Sequence, residues 1–460
     1  MFLNCAASFA PIIFNIYTMK VLVSAIVCNP YLGSEHYFGW SAVKCLAQDH
    51  TLCVITGSRN RPDLAKAEAD GLVLPNVRFF YAGEFKKWHP NRLLARMQEW
   101  REYINFSKDS LAVARALHRT EKFDLVHHVT FATWRVASPL WQLGIPFIFG
   151  PIGGNEKFPF RIFPVLSPAG AAFELLRKTS NVVSRFSPGV RRGICGAAHI
   201  FAATTETEQL VKAMRGSGKG ISRLLPGFYS AAKVAAFSRF ASGKNLDGPL
   251  RLFASGNLGG HKGLGLALPA LAQAKKCGVN FRYHLGAGGP EIPHLKKLVA
   301  RLNINQEVVF GGAMSSEDYQ RELGNTHVYL LPSLRESVGL TMMEAMLAGC
   351  VPVVADCGGP NFIVTEDCGY KIPVSTQERM IAEMADTLVA IDHDRKIILD
   401  KGKLASKRIA EHFTEDHYRR TVNAVYASVT KYDSELEKNV CQPAPRKNAN
   451  KSACCPPPPA

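Results

Sequence analysis

Short apolar, β-branched runs recur along the chain, separated by longer stretches in which apolar residues return at helical spacing. Runs of that length bounded by turn residues read as strands, and the stretches between them as helices. Two series emerge. The first comprises Val21–Val27, Thr51–Thr56, Val77–Tyr81, Asp124–Val129, Pro146–Phe149 and His199–Ala203; the second comprises Arg251–Ser255, Phe281–Leu285, Val308–Phe310, His327–Leu331, Val351–Ala355 and Tyr370–Ile372. Their alternation with helical stretches predicts an α/β chain of two Rossmann-like, doubly wound parallel-sheet domains, covered by helices on both faces. A linker is expected near Pro226–Gly248, and a last helix over roughly His417–Val429. Two such domains put a ligand in the crevice at the carboxyl ends of the strands.

One strand-to-helix junction carries most of the chemistry. The apolar run Val328-Tyr329-Leu330-Leu331 stops at Pro332, a polar loop follows, and a helical pattern opens around Gly339 and runs to Gly349. The backbone amides of Val338, Gly339 and Leu340 are then expected to be unpaired, forming an anion site with the helix dipole behind it. A phosphate suits it. Glu336 precedes those amides and Glu344 follows them by one to two turns, so the two carboxylates should meet different parts of one ligand. Each can accept hydrogen bonds from a sugar or ribose diol, or can simply be a dipole-favoured or solvated carboxylate.

This segment resembles the E-x7-E signature of retaining glycosyltransferases of family 4, which have the GT-B fold, and the likeness continues through Gly349-Cys350-Val351-Pro352 to Gly358-Gly359-Pro360. The resemblance implies that Glu336 faces the transferred sugar and Glu344 holds the nucleotide's ribose. It extends over most of residues 20–430 and is strongest from Arg251 to Val374. It implies residues 19–230 as an acceptor-binding domain, 231–247 as linker, 248–412 as the nucleotide-sugar domain, and 413–432 as a helix packing back on the first domain. Residues 1–18 read as an extra segment before a start at Met19, and 433–460 as a disordered tail, since Gln442–Ala460 lacks apolar periodicity.

Other motifs fit the same frame. Gly256-Asn257-Leu258-Gly259-Gly260-His261-Lys262-Gly263 is a glycine-rich turn bringing an ammonium to a diphosphate. The family has an arginine where this chain has Asn257, so Lys262 stands without the second cation. In the first series, Gly33 lies in a turn before a helix, where a phosphate or acceptor can approach, within a Gly-Ser-Glu sequence some relatives share. His127 and His128 end a strand at the cleft. Adjacent strand residues face opposite ways, so only one ring can border the site; a His-x-His pattern in the family favours His128. Gly150-Pro151-Ile152-Gly153-Gly154-Asn155-Glu156 is similar to a cleft loop of relatives, with Glu156 as an acceptor contact.

The implied reaction moves a hexosyl group from a nucleotide-diphosphate sugar to a glycan or lipid-linked acceptor, with retention, without cofactor or metal, in cell-surface polysaccharide or glycolipid assembly. Composition agrees with a globular protein, at 47% hydrophobic and 20% charged. The cysteines lack zinc or disulfide spacing and read as buried thiols of a reducing cytoplasm. A net charge of +17 gathers in two aromatic, basic stretches, Lys86–Arg119 and Lys157–Arg192, which suggests peripheral contact with an anionic membrane. Two alternatives are a GT-B scaffold that binds nucleotide sugar but transfers poorly, and a basic membrane- or nucleic-acid-binding protein. No nucleic-acid motif accompanies the charge.

Overall fold

A computed structural model describes residues 18–84 and 92–440. The first sheet contains β1 (Lys20–Ala25), β2 (Thr51–Gly57), β3 (Val77–Ala82), β4 (Leu125–Thr130), β5 (Phe147–Ile152), β6 (His199–Ala202) and β7 (Ile221–Arg223). They lie in the order β3-β2-β1-β4-β5-β6-β7, all parallel. The second sheet contains β8 (Leu250–Ala254), β9 (Phe281–Leu285), β10 (Val308–Phe310), β11 (Val328–Leu330), β12 (Val351–Ala355) and β13 (Tyr370–Ile372), in the parallel order β10-β9-β8-β11-β12-β13. All twelve expected strands form; β7 adds a thirteenth. It joins only three half-buried residues, one of them Arg223, to the sheet edge, and too little apolar residue is present there to mark a strand.

Strand order reverses between β1 and β4 in one domain and between β8 and β11 in the other. Each reversal opens a crevice at the strands' carboxyl ends, so the loops after β8 and β11 are neighbours. Val21, Val23 and Ala25 of β1 point into one apolar layer, whereas Leu22 points into another. Such continuous burial requires cover on both faces of the sheet.

Part of that cover comes from the far end of the chain. Helix Glu415–Val440 lays Tyr418, Val422, Tyr426 and Val429 on the first sheet's core, one helical stripe of side chains. Arg419 Nη1 meets Asp49 Oδ1 at 2.9 Å, and Asn423 Nδ2 donates to Asp49 Oδ2 at 2.6 Å. The helix runs into the stretch expected to be disordered from 433, because its periodic pattern carries on; residues 441–460, like 1–17 and 85–91, fall outside the described residues.

The linker is packed rather than loose. Helix Ala231–Ser238 buries Phe237 against the second domain's core, and Lys244 is buried with its ammonium donating to the carbonyls of Leu323, Gly324 and Thr326 at 3.0, 3.2 and 2.6 Å. Where the chain crosses between domains its two passages pair: Tyr229 N donates to Phe413 O at 2.9 Å and Glu415 N to Tyr229 O at 3.0 Å.

Candidate active site

The loops after β8 and β11 are joined by close backbone contact. Gly263 has φ +72°, and a methyl group there would lie 2.0 Å from the Pro332 carbonyl oxygen, so only glycine allows the approach. Leu334 N donates to His261 O at 2.9 Å. This contact carries Lys262 to Glu336, and its ammonium pairs with Glu336 Oε2, both side chains largely shielded from solvent. Asn257, at the tip of the same turn, is exposed.

Helix Leu340–Leu347 follows, with Gly339 at φ +83° as its start and Met343 N donating to Gly339 O at 3.0 Å. The amides of Val338, Gly339 and Leu340 have no protein acceptor among the described residues. Three preorganised donors thus stand beside an ammonium, an arrangement that stabilises a developing phosphate charge. The far wall is also built of glycine: a methyl group at Gly358 would meet Glu336 O at 2.2 Å, and one at Gly359 would meet Ser337 O at 2.4 Å.

Glu344 sits inside the helix and is 9% exposed. Its Oε2 accepts from the Tyr319 hydroxyl at 2.8 Å, while Oε1 lies 2.6 Å from Lys233 Nζ. Burial, with the Glu344 charge beside it, pushes the Tyr319 phenol well above its ordinary pKa and keeps it a donor. Tyr329 and Thr341 tie the helix to the end of β8: their hydroxyls lie 2.7 Å apart, and Thr341 Oγ1 donates to Ser255 O at 3.1 Å. The Gly286–Pro290 run is a structural turn, its Gly289 packed on the Leu258 backbone.

Three buried or half-buried carboxylates of the first domain hold the loop after β11 and the neighbouring Gly358 from across the cleft. Glu174 accepts from Arg335 Nε at 3.0 Å, Glu156 Oε1 from Ser337 Oγ at 3.3 Å, and Glu206 Oε1 from Gly358 N at 3.1 Å. Glu156 therefore differs from the expected acceptor contact. Its carboxylate is buried and already taken by Gly154 N at 3.0 Å, Thr204 Oγ1 at 3.1 Å and Arg177 Nη2 at 3.2 Å. Beside these acids lies a cavity of about 610 Å³, bordered by Trp134, Phe158, Phe160, Lys178 and Arg185.

The histidine expectation is also corrected. His127 and His128 point to opposite sides of β4, yet neither ring borders the cleft, since both are buried. His127 Nδ1 lies 2.8 Å from the Tyr426 hydroxyl and Nε2 2.7 Å from Gly150 O. His128 Nδ1 lies 3.1 Å from Ser24 Oγ, and its Nε2 3.4 Å from the Tyr103 hydroxyl. Burial pushes their pKa values down to about 3 and about 4, so both rings are neutral hydrogen-bonded core groups. Gly33 is exposed with open space around it, at the carboxyl end of β1. The neighbouring Glu35 accepts from Ala132 N; burial, against that hydrogen bond and with Glu99 adding to it, raises its pKa to about 7.

Sequence reasoning missed Lys233, Tyr319, Arg335, Glu174 and Glu206. Glu174 had a signal, being the one acid in the basic run Lys157–Arg192. Among the cysteines, Cys195 and Cys277 are exposed, contrary to the expectation of buried thiols.

Residues 235–403 match the family model described as glycosyl transferases group 1. A protein of Escherichia coli named for colanic acid biosynthesis, glycosyltransferase WcaL, is 29% identical over 191 residues, 39% of this chain and 45% of its own length. The amylovoran biosynthesis glycosyltransferase AmsK of Erwinia amylovora is 30% identical over 29% of this chain and 35% of its own. The chain thus matches about half or less of the length of these curated relatives. Among solved structures, Anabaena HepE with UDP and glucose aligns at TM-score 0.55 and 15% identity over 89% of this chain and all of its own. Sucrose-phosphate synthase of Thermosynechococcus elongatus aligns at 0.56 and 18% identity over 92% and 100%. The two parallel sheets and the solved structures together give the chain the GT-B fold, and its second domain is similar to glycosyl transferases group 1 over residues 235–403.

Proposed function

We propose that this protein is a retaining, metal-independent hexosyltransferase that takes a nucleotide-diphosphate sugar as donor and a glycan or lipid-linked acceptor, in cytoplasmic steps of polysaccharide or glycolipid assembly. The observation that carries the reading is Lys262 held against Glu336 beside the free amides of Val338, Gly339 and Leu340. A diphosphate entering there draws the ammonium away from Glu336, and the released carboxylate is then available to the sugar's hydroxyls. Glu344 accepts from the ribose in exchange for Lys233. The bond between the anomeric carbon and the diphosphate oxygen breaks, and the acceptor oxygen bonds to the same face of that carbon. The acceptor's proton passes to the leaving phosphate. Lys262 and the amides oppose the charge that builds there. HepE, with UDP and glucose bound, and the polysaccharide names of the matched relatives support this reading.

Thermal stabilisation by uridine, guanosine, adenosine and cytidine diphosphates and their sugars tests it. One base should stabilise the wild-type protein, and Lys262→Ala should weaken that response by roughly 10- to 100-fold, as expected for a charge-assisted bond. Glu344→Ala should weaken it as well. Silence from every nucleotide would sink the proposal.

A further inference from the structure

Helix Pro168–Phe186 is amphipathic in the inverted sense. Its polar side faces the protein: Glu174 reaches Arg335, Arg177 donates to Glu156 O at 2.6 Å and Gly154 O at 2.7 Å, and Asn181 Oδ1 accepts from Arg135 Nε at 2.5 Å. Its apolar side faces out. Leu175, Leu176, Val182, Val183 and Phe186 are all exposed, Val183 at 65% and Phe186 at 70%. Their spacing puts them on one stripe along the helix, with Thr179 between. A helix docked on a core for burial alone would turn the other way, since each large apolar side chain left in water forgoes its burial free energy.

The surroundings say what covers the stripe. Lys157, Arg161, Lys178, Arg185, Arg191 and Arg192 are exposed around it, and Lys178 Nζ lies 3.7 Å from the ring centre of the exposed Phe160. From Lys157 to Arg192 the one acid is Glu174, which is buried and already paired. Apolar side chains rimmed by cations match the acyl boundary and headgroups of an anionic bilayer, to which each cation adds attraction. A second copy of the chain fits poorly there, because the cations of both copies would face one another with no exposed acid in the segment to answer them.

We propose that the Leu175–Phe186 stripe and its rim of lysine and arginine dock this protein on an anionic lipid surface. The inference stands on the helix alone and does not depend on the proposed transfer reaction. Flotation of the full chain with phosphatidylcholine vesicles, with and without phosphatidylglycerol, tests it, using Leu176→Asp combined with Val183→Asp. These side chains are exposed, so the variant should fold, as an unchanged melting temperature would verify. The wild type should float with the anionic vesicles only, and the double variant should lose roughly a hundredfold in partition. Arg191→Ala with Arg192→Ala should lose roughly thirtyfold, and added salt should have the same direction of effect. Wild-type protein that stays off anionic vesicles, a Leu176→Asp, Val183→Asp variant that floats equally well, or a solution dimer that this variant dissociates would each overturn the proposal.

Discussion

Lys262 and Glu336 neutralise each other across two loops, so under the proposed function an incoming diphosphate would exchange one partner of the ammonium for another. That exchange costs binding free energy which a second cation would restore, and the exposed Asn257 sits on the same turn, where relatives of the resembled family carry arginine. Asn257→Arg should tighten nucleoside diphosphate binding about tenfold, measured by calorimetry, as a charge-assisted contact predicts. An unchanged affinity would mean that residue 257 does not reach the phosphates. Buried titratable groups give a second expectation. His127, His128, His199 and His327 have pKa values lowered by burial to about 3, 4, 4 and 4, against an unfolded value near 6.5. Below about pH 6.5 the unfolded chain takes protons that the folded one refuses, so stability is lost as the pH is lowered, by at most about 1.4 kcal/mol per unit for each group. Glu35 opposes them between its unfolded value, 4.5, and its folded value of about 7, because there the folded state binds the extra proton. Four groups outweigh one, and a melting temperature that holds level from about pH 7 to pH 5 would contradict this balance. At this scale the sequence was readable where chemistry is local. Glu336, Glu344 and Lys262 could be singled out from their own turns, whereas the environment of His127 depends on Tyr426, supplied by the last helix.

The strands were legible because burial on both faces makes them continuous apolar runs, and only the half-buried β7 escaped. Helices were less legible in orientation than in existence. Helix Pro168–Phe186 has a clear stripe, but a stripe does not state which side meets the protein, and here the polar side does. That orientation delivers Glu174 to Arg335, next to Glu336, with the two side chains 5% and 17% exposed. Removing one partner of such a pair leaves the other charge poorly solvated. Glu174→Gln should therefore lower stability by about 2–3 kcal/mol and raise the donor KM several-fold while leaving the fold intact, as read from denaturation curves and steady-state kinetics. A variant that loses stability with no change in KM would show that the pair braces the domains without positioning the donor loop.

Across the described residues, several contacts join the two domains, among them the Ser167–Glu291 hydrogen bond and the burial of Ile162 in the second domain's core. Carboxylates of the first domain grip the loop after β11, the Tyr229 and Phe413–Glu415 passages pair as neighbouring strands of chain, and the helix Glu415–Val440 returns to the first sheet. The general architecture was legible from two series of strands, but the grip was not, since it joins residues more than a hundred positions apart whose types alone look like ordinary surface charge. The return of the last helix has a consequence for how the protein is made. Val21 and Val23 leave the ribosome among the earliest described residues, yet Tyr418, Val422 and Tyr426, which share their apolar layer, emerge only after the whole second domain has been made. The domain translated first is therefore the one that must wait. Its sheet stays only partly covered on the face that Phe38, Trp40 and Leu64 share with the last helix, while the second domain, whose core lies almost wholly between Leu225 and Phe413, already has what it needs to fold.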